Sequence, residues 1–271
     1  MRASRQTDRA AIESAARFIY DARLSGIPCQ PVGGLLEPGD IAAAYAVQEV
    51  NTQRWIAEGR RLVGRKIGLT SKSVQRNAGI DQPDYGMLFA DMEIPSGEVL
   101  PGRSMNLPKA EGEIAFMVGA DLTLEDITLG ELIGRLDYAL PAVEIIDTRY
   151  IGWDFGIEDT ISDNASSGYY ALGTRPVSLA HLDLELVGMT VERNGEGVSF
   201  GAGAACMGNP LQAVLWLARI MVKLGRPLLA GDLVLSGALG PMVSMRPGDD
   251  ICIRISGLGS VAVNYGTDSA K

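Results

Sequence analysis

The chain has 271 residues, 46% of them hydrophobic and 21% charged, and its 33 acidic against 24 basic residues give a formal net charge of −9. That is enough for one large domain, or one domain with a smaller appendage, and too apolar for a disordered chain. The acidity argues against a surface that tracks nucleic-acid phosphates, no apolar run approaches the roughly 20 residues of a membrane helix, and the opening MRASRQTDRAA is too polar for a secretory leader.

In chain order, Asp8 is placed to cap a helix in which Ile12, Ala15, Ala16, Ile19 and Tyr20 follow the helical spacing, and Gly26-Ile27-Pro28 ends it. After the turn Glu37-Pro38-Gly39, a second helix is expected from about Asp40 to Glu58. From about Val63 the texture changes to short apolar runs between glycine and proline turns. Strands are expected at Glu113 to Val118, Ala142 to Ile146, Leu184 to Glu192, Leu233 to Leu235, Ile251 to Ile255 and Val261 to Asn264. Two helices interrupt them. One covers about Leu129 to Tyr138. The other has Asn209 as cap and Pro210 at its first position, an apolar stripe through Leu211, Val214, Leu215, Ala218, Met221 and Val222, and Gly225 as its stop. Strands and helices do not alternate regularly, so a doubly wound sheet is a poor fit and the fold class is α+β. The expected division is an N-terminal helical section, 1–62, and a strand-rich domain, 63–267.

Several familiar motifs are absent. The run from Gly59 to Lys66 nearly spells a P-loop, but Arg65 stands where the lysine belongs and Lys66 where Ser or Thr belongs. Ser236 lacks the first glycine of a nucleophile elbow. Cys29, Cys206 and Cys252 have no metal-type spacing and read as free thiols of a reducing cytoplasm. The single histidine, His181, rules out a His-rich metal site and reads as an ordinary residue leading into a strand.

The informative segment runs from Lys109 to Val118. In a strand, Ile114, Phe116 and Val118 point to the core while Glu111 and Glu113 share the other face, with Gly112 leaving the core face bare. Two carboxylates on one face repel unless a cation sits between them. A third acid, Glu144, interrupts the apolar run Pro141 to Ile146, where a lone buried carboxylate is costly. Three converging glutamates would make an oxygen-only site for Mg²⁺ or Mn²⁺. Spacing alone leaves the alternative open, because an E-x-E strand is often a solvated face.

Six motifs in order resemble the 2-keto-4-pentenoate hydratase family of the fumarylacetoacetate hydrolase superfamily. They are Gly64-Arg65-Lys66-Ile67-Gly68-Leu69-Thr70; Gln82-Pro83-Asp84-Tyr85-Gly86 with Leu88 to Met92; Glu111-x-Glu113; Pro141-Ala142-Val143-Glu144; Asp163-Asn164-Ala165-Ser166; and Ser236 to Met242. Gly112 and Ser236 depart mildly from the family's usual alanine and threonine. The resemblance implies a mixed β-roll preceded by helices, with Mg²⁺ or Mn²⁺ on Glu111, Glu113 and Glu144. It also implies hydration of 2-hydroxypenta-2,4-dienoate to 4-hydroxy-2-oxopentanoate in meta-cleavage of aromatic compounds, by a cytoplasmic pentamer or decamer.

Within that expectation, Lys66 is the cationic partner of the enolate or carboxylate, as against a solvated basic run with Arg60, Arg61 and Arg65. Asp84 is an acid/base or orients Lys66, as against a turn aspartate after Pro83. Asn164, Ser166 and Ser236 are candidate substrate contacts, or simply turn-formers. The nearest alternative is a 2-oxo-3-enedioate decarboxylase of the same superfamily, separable by CO₂ release. An acylpyruvate hydrolase would want a histidine motif that His181 lacks, and a non-catalytic scaffold would bind no metal.

Overall fold

The computed structural model describes residues 6–72, 75–76, 80–100 and 105–267. Helix α1 (Arg9–Ser25) starts where Asp8 accepts the Ala11 N–H at 2.7 Å, and it stops at Gly26, whose φ of +69° is a left-handed cap. Helix α2 (Ile41–Ala57) is capped by Asp40, which also accepts the Thr7 hydroxyl. The pair bury Ala15, Ala16 and Ile19 with Ala43, Ala44 and Val47, and the cluster is completed by Tyr150 and Ile161 from far along the chain. Gln48 adds a polar tie, donating to the carbonyls of Tyr85 and Ile161 at 2.9 and 3.1 Å. None of the helices among the described residues is long and apolar enough to cross a membrane.

The next elements are β1 (Leu62–Gly68), β2 (Asp84–Phe89), β3 (Lys109–Val118), α3 (Leu129–Ile133), β4 (Leu136–Ile146), α4 (Ile157–Ser162) and β5 (Ser167–Leu172). They are followed by β6 (Gly188–Arg193), β7 (Glu196–Ala202), α5 (Pro210–Lys223), β8 (Leu233–Leu235), β9 (Val243–Ser244), β10 (Asp250–Ile255) and β11 (Gly259–Asn264). One sheet has the order β2-β1-β8-β3-β4-β5, with β9 also pairing on β3. Only β1 and β8 run parallel in it, so the sheet is mixed. A second, antiparallel sheet, β11-β10-β6-β7, covers one face of β3 and β4. Met189, Val191, Ile251 and Ile253 there join Ile114, Phe116 and Val143 in one core. The result is an α+β fold.

Three local expectations are corrected. The helix expected from Leu129 to Tyr138 is one turn, capped by the reciprocal Thr128–Glu131 bonds. Glycines 130 and 134 weaken its continuation, and pairing of Leu136 with Val118 and Tyr138 with Met117 draws the rest into β4. The strand expected from Leu184 begins only at Gly188. Leu184 and Val187 are apolar because they are buried in a turn that closes on the Asp183 carbonyl, and His181 lies exposed in a preceding 3₁₀ turn. Gly112 does not leave a bare face: a Cβ there would stand 2.9 Å from Met189 Sδ and 3.0 Å from Ile253 Cγ2. It is the seat on which the second sheet lands.

Candidate metal centre

The β3–β4 register sets Glu111 opposite Glu144 and Glu113 opposite Ala142. Alternation along β3 then keeps Glu111 and Glu113 together on the face that the second sheet does not cover. Oxygens of Glu111, Glu113 and Glu144 lie within 4.8 Å of one another, the one such cluster among the described residues. Glu113 and Glu144 are each 1% exposed. Glu113 Oε2 accepts the Gly237 N–H at 2.8 Å, whereas Glu113 Oε1 and Glu144 Oε2 have no hydrogen-bond partner. Strand β1 brings Lys66, whose Nζ lies 3.2 Å from Glu144 Oε1 and donates to the Ala165 carbonyl at 3.0 Å. At 3% exposure Lys66 is no part of a solvated run, and its neighbour Arg65 is buried as well, on the opposite face of the strand. Asp84 opens β2 rather than shaping a turn, and both of its buried oxygens lack a hydrogen-bond partner. Its cross-strand neighbour is Gly68, where a Cβ would stand 2.2 Å from Asp84 Oδ1.

Burial dominates the electrostatics. It pushes Glu111 up to about 7, with Glu144 adding, and drives Glu113 well above the carboxylate range with help from Glu144 and Glu111. Glu144 is raised by burial against the opposing pull of Lys66. Asp84 is raised to about 6 by burial, opposed by Lys66 and reinforced by Glu144. Burial alone would lower Lys66, but Glu144, Asp84, Glu111 and Glu113 together raise it, so it stays an ammonium. One ammonium among four acids leaves the site short of positive charge. Converging, partly unbonded carboxylate oxygens with no nitrogen or sulfur donor fit a hard divalent cation.

The ammonium is held in turn by a strained segment. Asn164, Ala165 and Ser166 have φ of +54°, +50° and +56°, a left-handed turn that costs on the order of 1–2 kcal/mol per residue. Three devices hold it. The Asn164 amide accepts from Met87 N at 2.7 Å and donates to Met87 O at 2.9 Å. The buried Arg149–Asp163 ion pair flanks it, with Arg149 also donating to the carbonyls of Asp163 and Ser167. Gly86 leaves the room: a Cβ there would meet the Asn164 carbonyl at 2.4 Å. The turn offers Ala165 O to Lys66 and leaves Ser166 Oγ buried and unpartnered beside the cavity.

Of the three expected substrate contacts, Ser166 alone faces the cavity. Asn164 spends its amide on Met87, and the fully buried Ser236 hydroxyl accepts from Ile114 N and donates to Gly237 O. A cavity of about 250 Å³ holds Lys66, Asp84, Glu111 and Ser166 under a wall of Trp153, Phe155 and Ile157. A second, of about 490 Å³, shares Gly68, Leu69, Glu111 and Met242 with it. The aromatic wall and the Arg149–Asp163 brace escape sequence reading. Trp153 and Phe155 stand in an irregular stretch with no periodicity to assign them a face.

Residues 67–264 match the family model described as fumarylacetoacetate (FAA) hydrolase, C-terminal. The chain is 53% identical over 255 residues to a TodF product hydratase of Pseudomonas putida F1, covering 94% of this chain and 95% of that one. It is 51% identical over 253 residues to a 2-keto-4-pentenoate hydratase of Paraburkholderia xenovorans LB400, covering 93% and 94%. Among solved structures, the 4-oxalocrotonate decarboxylase of Pseudomonas putida G7, complexed with magnesium and adipate, superposes with a TM-score of 0.92 at 36% identity over 96% of this chain and 99% of that one. Similarity at that level over nearly the whole length joins what the buried carboxylates already indicated: the chain belongs to the fumarylacetoacetate hydrolase family, on its 2-keto-4-pentenoate hydratase branch.

Proposed function

We propose that this protein is a metal-dependent hydro-lyase that adds water to 2-hydroxypenta-2,4-dienoate, or a close homologue, to give 4-hydroxy-2-oxopentanoate in meta-cleavage catabolism. The carrying observation is the convergence of Glu111, Glu113 and Glu144 beside Lys66 and an uncommitted Asp84, in a chain about half identical to named hydratases.

The substrate's carboxylate and its adjacent C2 oxygen form a two-oxygen edge suited to a metal on Glu111, Glu113 and Glu144. Mg²⁺ or Mn²⁺ bound there supplies positive charge against the negative charge that develops on the C2 oxygen. Lys66, permanently charged and fixed by Glu144 and Ala165 O, adds a second cation at the head of the substrate. Ser166 Oγ is free to hydrogen-bond the same head. Asp84 moves the proton, because it is the carboxylate in this cavity that stands outside the metal cluster and has no hydrogen-bond partner. The C2 hydroxyl proton leaves, C5 gains one, and the 2-oxo-3-ene so formed takes water oxygen at C4 and a proton at C3. Trp153 and Phe155 limit the entry of further water. No covalent nucleophile is required.

The test is product analysis. Mg²⁺-loaded protein should convert the dienoate to 4-hydroxy-2-oxopentanoate, and Asp84→Asn should bind Mg²⁺ normally yet turn over slowly. The decarboxylase reading is favoured by the likeness to one solved structure, a TM-score of 0.92 at 36% identity. Release of CO₂ from 4-oxalocrotonate, without hydration of the dienoate, would establish it instead. Assembly as a pentamer or decamer follows the family resemblance, and exposed Leu24, Ile27 and Phe200 supply apolar surface for it. The free thiols Cys29, Cys206 and Cys252 suit a reducing cytoplasm.

A further inference from the structure

Strand β2 ends its sheet, yet it is buried along its whole length. The backbone groups it turns away from β1 therefore need partners from outside the sheet. Two side-chain amides serve. Asn164 accepts from the N–H of Met87 at 2.7 Å and donates to its carbonyl at 2.9 Å, and Gln48 donates to the carbonyl of Tyr85 at 2.9 Å. Gln48 comes from α2, ahead of the segment 67–264 that carries the family match.

Gln48 is buried, and its amide nitrogen donates as well to the Ile161 carbonyl of α4 at 3.1 Å. One side chain thus joins two segments on which the site depends. Tyr85 follows Asp84 in the chain, and α4 leads through Asp163 into the turn whose Ala165 carbonyl holds Lys66. One turn earlier on the same helix face, Tyr45 lies flat on the Tyr85 ring, with 4.4 Å between centroids and 13° between planes. Burial raises the Tyr45 hydroxyl and Asp84 adds to the rise, so α2 comes within electrostatic reach of that carboxylate. Asp84 Oδ1 and Lys66 Nζ crowd the open side of Gly68, where a Cβ would stand 2.2 and 3.6 Å from them. The placement of acid against ammonium therefore follows from how β2 is held against β1 and the turn.

We infer that Gln48 is a positioning residue of the active site: from α2 it fixes the head of β2, and with it Asp84, against the turn that anchors Lys66. It acts through Asp84 rather than on the substrate, and the inference rests on the reading of Asp84 as the group that moves the proton. Without the amide, two buried carbonyls lose a donor and the carboxylate is free to drift. A displacement of about 1 Å can cost on the order of 10²-fold in rate.

The test is steady-state hydration of the dienoate by Mg²⁺-loaded protein carrying Gln48→Met, which keeps the side chain's length and loses its donors. The expected kcat is about 10- to 10²-fold lower, with KM and Mg²⁺ affinity within about twofold of wild type. In an Asp84→Asn background the same change should cost less than about twofold, because both act on one function. The control is Asn51→Leu, one turn further along α2, whose buried amide donates to the Ala16 carbonyl at 2.9 Å and ties α2 to α1 instead. It should lower the melting temperature and leave kcat unchanged. Should the methionine variant fail to fold, Gln48→Asn keeps an amide one methylene short and should lose about three- to tenfold in kcat. A kcat within about twofold of wild type in the folded variant, full additivity with Asp84→Asn, or an equal loss in Asn51→Leu would overturn the inference. Failure of the underlying reading shows in the parent proteins instead, as no hydrated product from wild type or undiminished turnover by Asp84→Asn.

Discussion

Replacing Gly68 by alanine tests the proton-transfer arm of the site without touching a metal ligand. Gly68 has no left-handed backbone angle and lies at the end of β1, so alanine fits its conformation and the strand should form. The new Cβ would stand 2.2 Å from Asp84 Oδ1, where ordinary contact begins at 3.4 Å. The Asp84 carboxylate must therefore give way by about 1 Å, a misplacement of the size that can cost on the order of 10²-fold in rate. The expected outcome is a kcat about 10²-fold lower in a continuous absorbance assay of dienoate loss, with Mg²⁺ affinity by calorimetry little changed. Added to Asp84→Asn, the same substitution should cost almost nothing more, because the two changes remove one function. A kcat within about threefold of wild type, or full additivity with Asp84→Asn, would refute the assignment of Asp84.

Lys66→Met should lower kcat by about 10²–10⁴-fold, and the exposed Arg61→Met should not; equal, near-normal kinetics in both would return Lys66 to a structural role. Glu113→Gln should weaken Mg²⁺ binding at least about tenfold yet raise the melting temperature of the metal-free protein at neutral pH, since it removes the cost of burying that acid, ionised or protonated, among its neighbours. Unchanged Mg²⁺ affinity would remove Glu113 from the ligand set. The metal-free protein should lose stability as pH rises from about 4.5 to about 7, because a raised acid favours folding below its unfolded value and loses that advantage through its folded value. The Mg²⁺-loaded protein should diverge upward over the same range, as binding requires ionised carboxylates. Parallel melting curves with EDTA and with Mg²⁺ would contradict this.

How much of this was legible beforehand depends on how local each signal is. The helix Pro210–Lys223 was readable to within a residue or two because its cap, its first-turn proline, its stripe and its closing glycine are all adjacent in sequence. Helices α1 and α2 were readable for the same reason. Glu111 and Glu113 were placed on one face by the period of two alone. That Glu144 stands opposite Glu111 depends on the β3–β4 register, which local pattern does not encode; the resemblance implied only that the three share a metal. Strands β1, β2, β5, β7 and β9 are not among the expected ones: Asp84 sits at the head of a strand buried throughout, so no alternation betrays it. The apolar Leu136 and Tyr138 read as helix because only pairing with Val118 and Met117, about twenty residues away, makes them strand. Asn164 looked available to substrate, and nothing in its neighbours announces that Met87 takes both ends of its amide.

The central claim is that three buried glutamates hold a cation that the hydration requires. The most direct measurement follows 2-hydroxypenta-2,4-dienoate by NMR, with the protein stripped by EDTA and then resupplied with Mg²⁺ or Mn²⁺. The account predicts no product from the stripped protein, and 4-hydroxy-2-oxopentanoate without CO₂ once the metal returns. Full hydration by the stripped protein, or failure of restored metal to support it, would contradict the account.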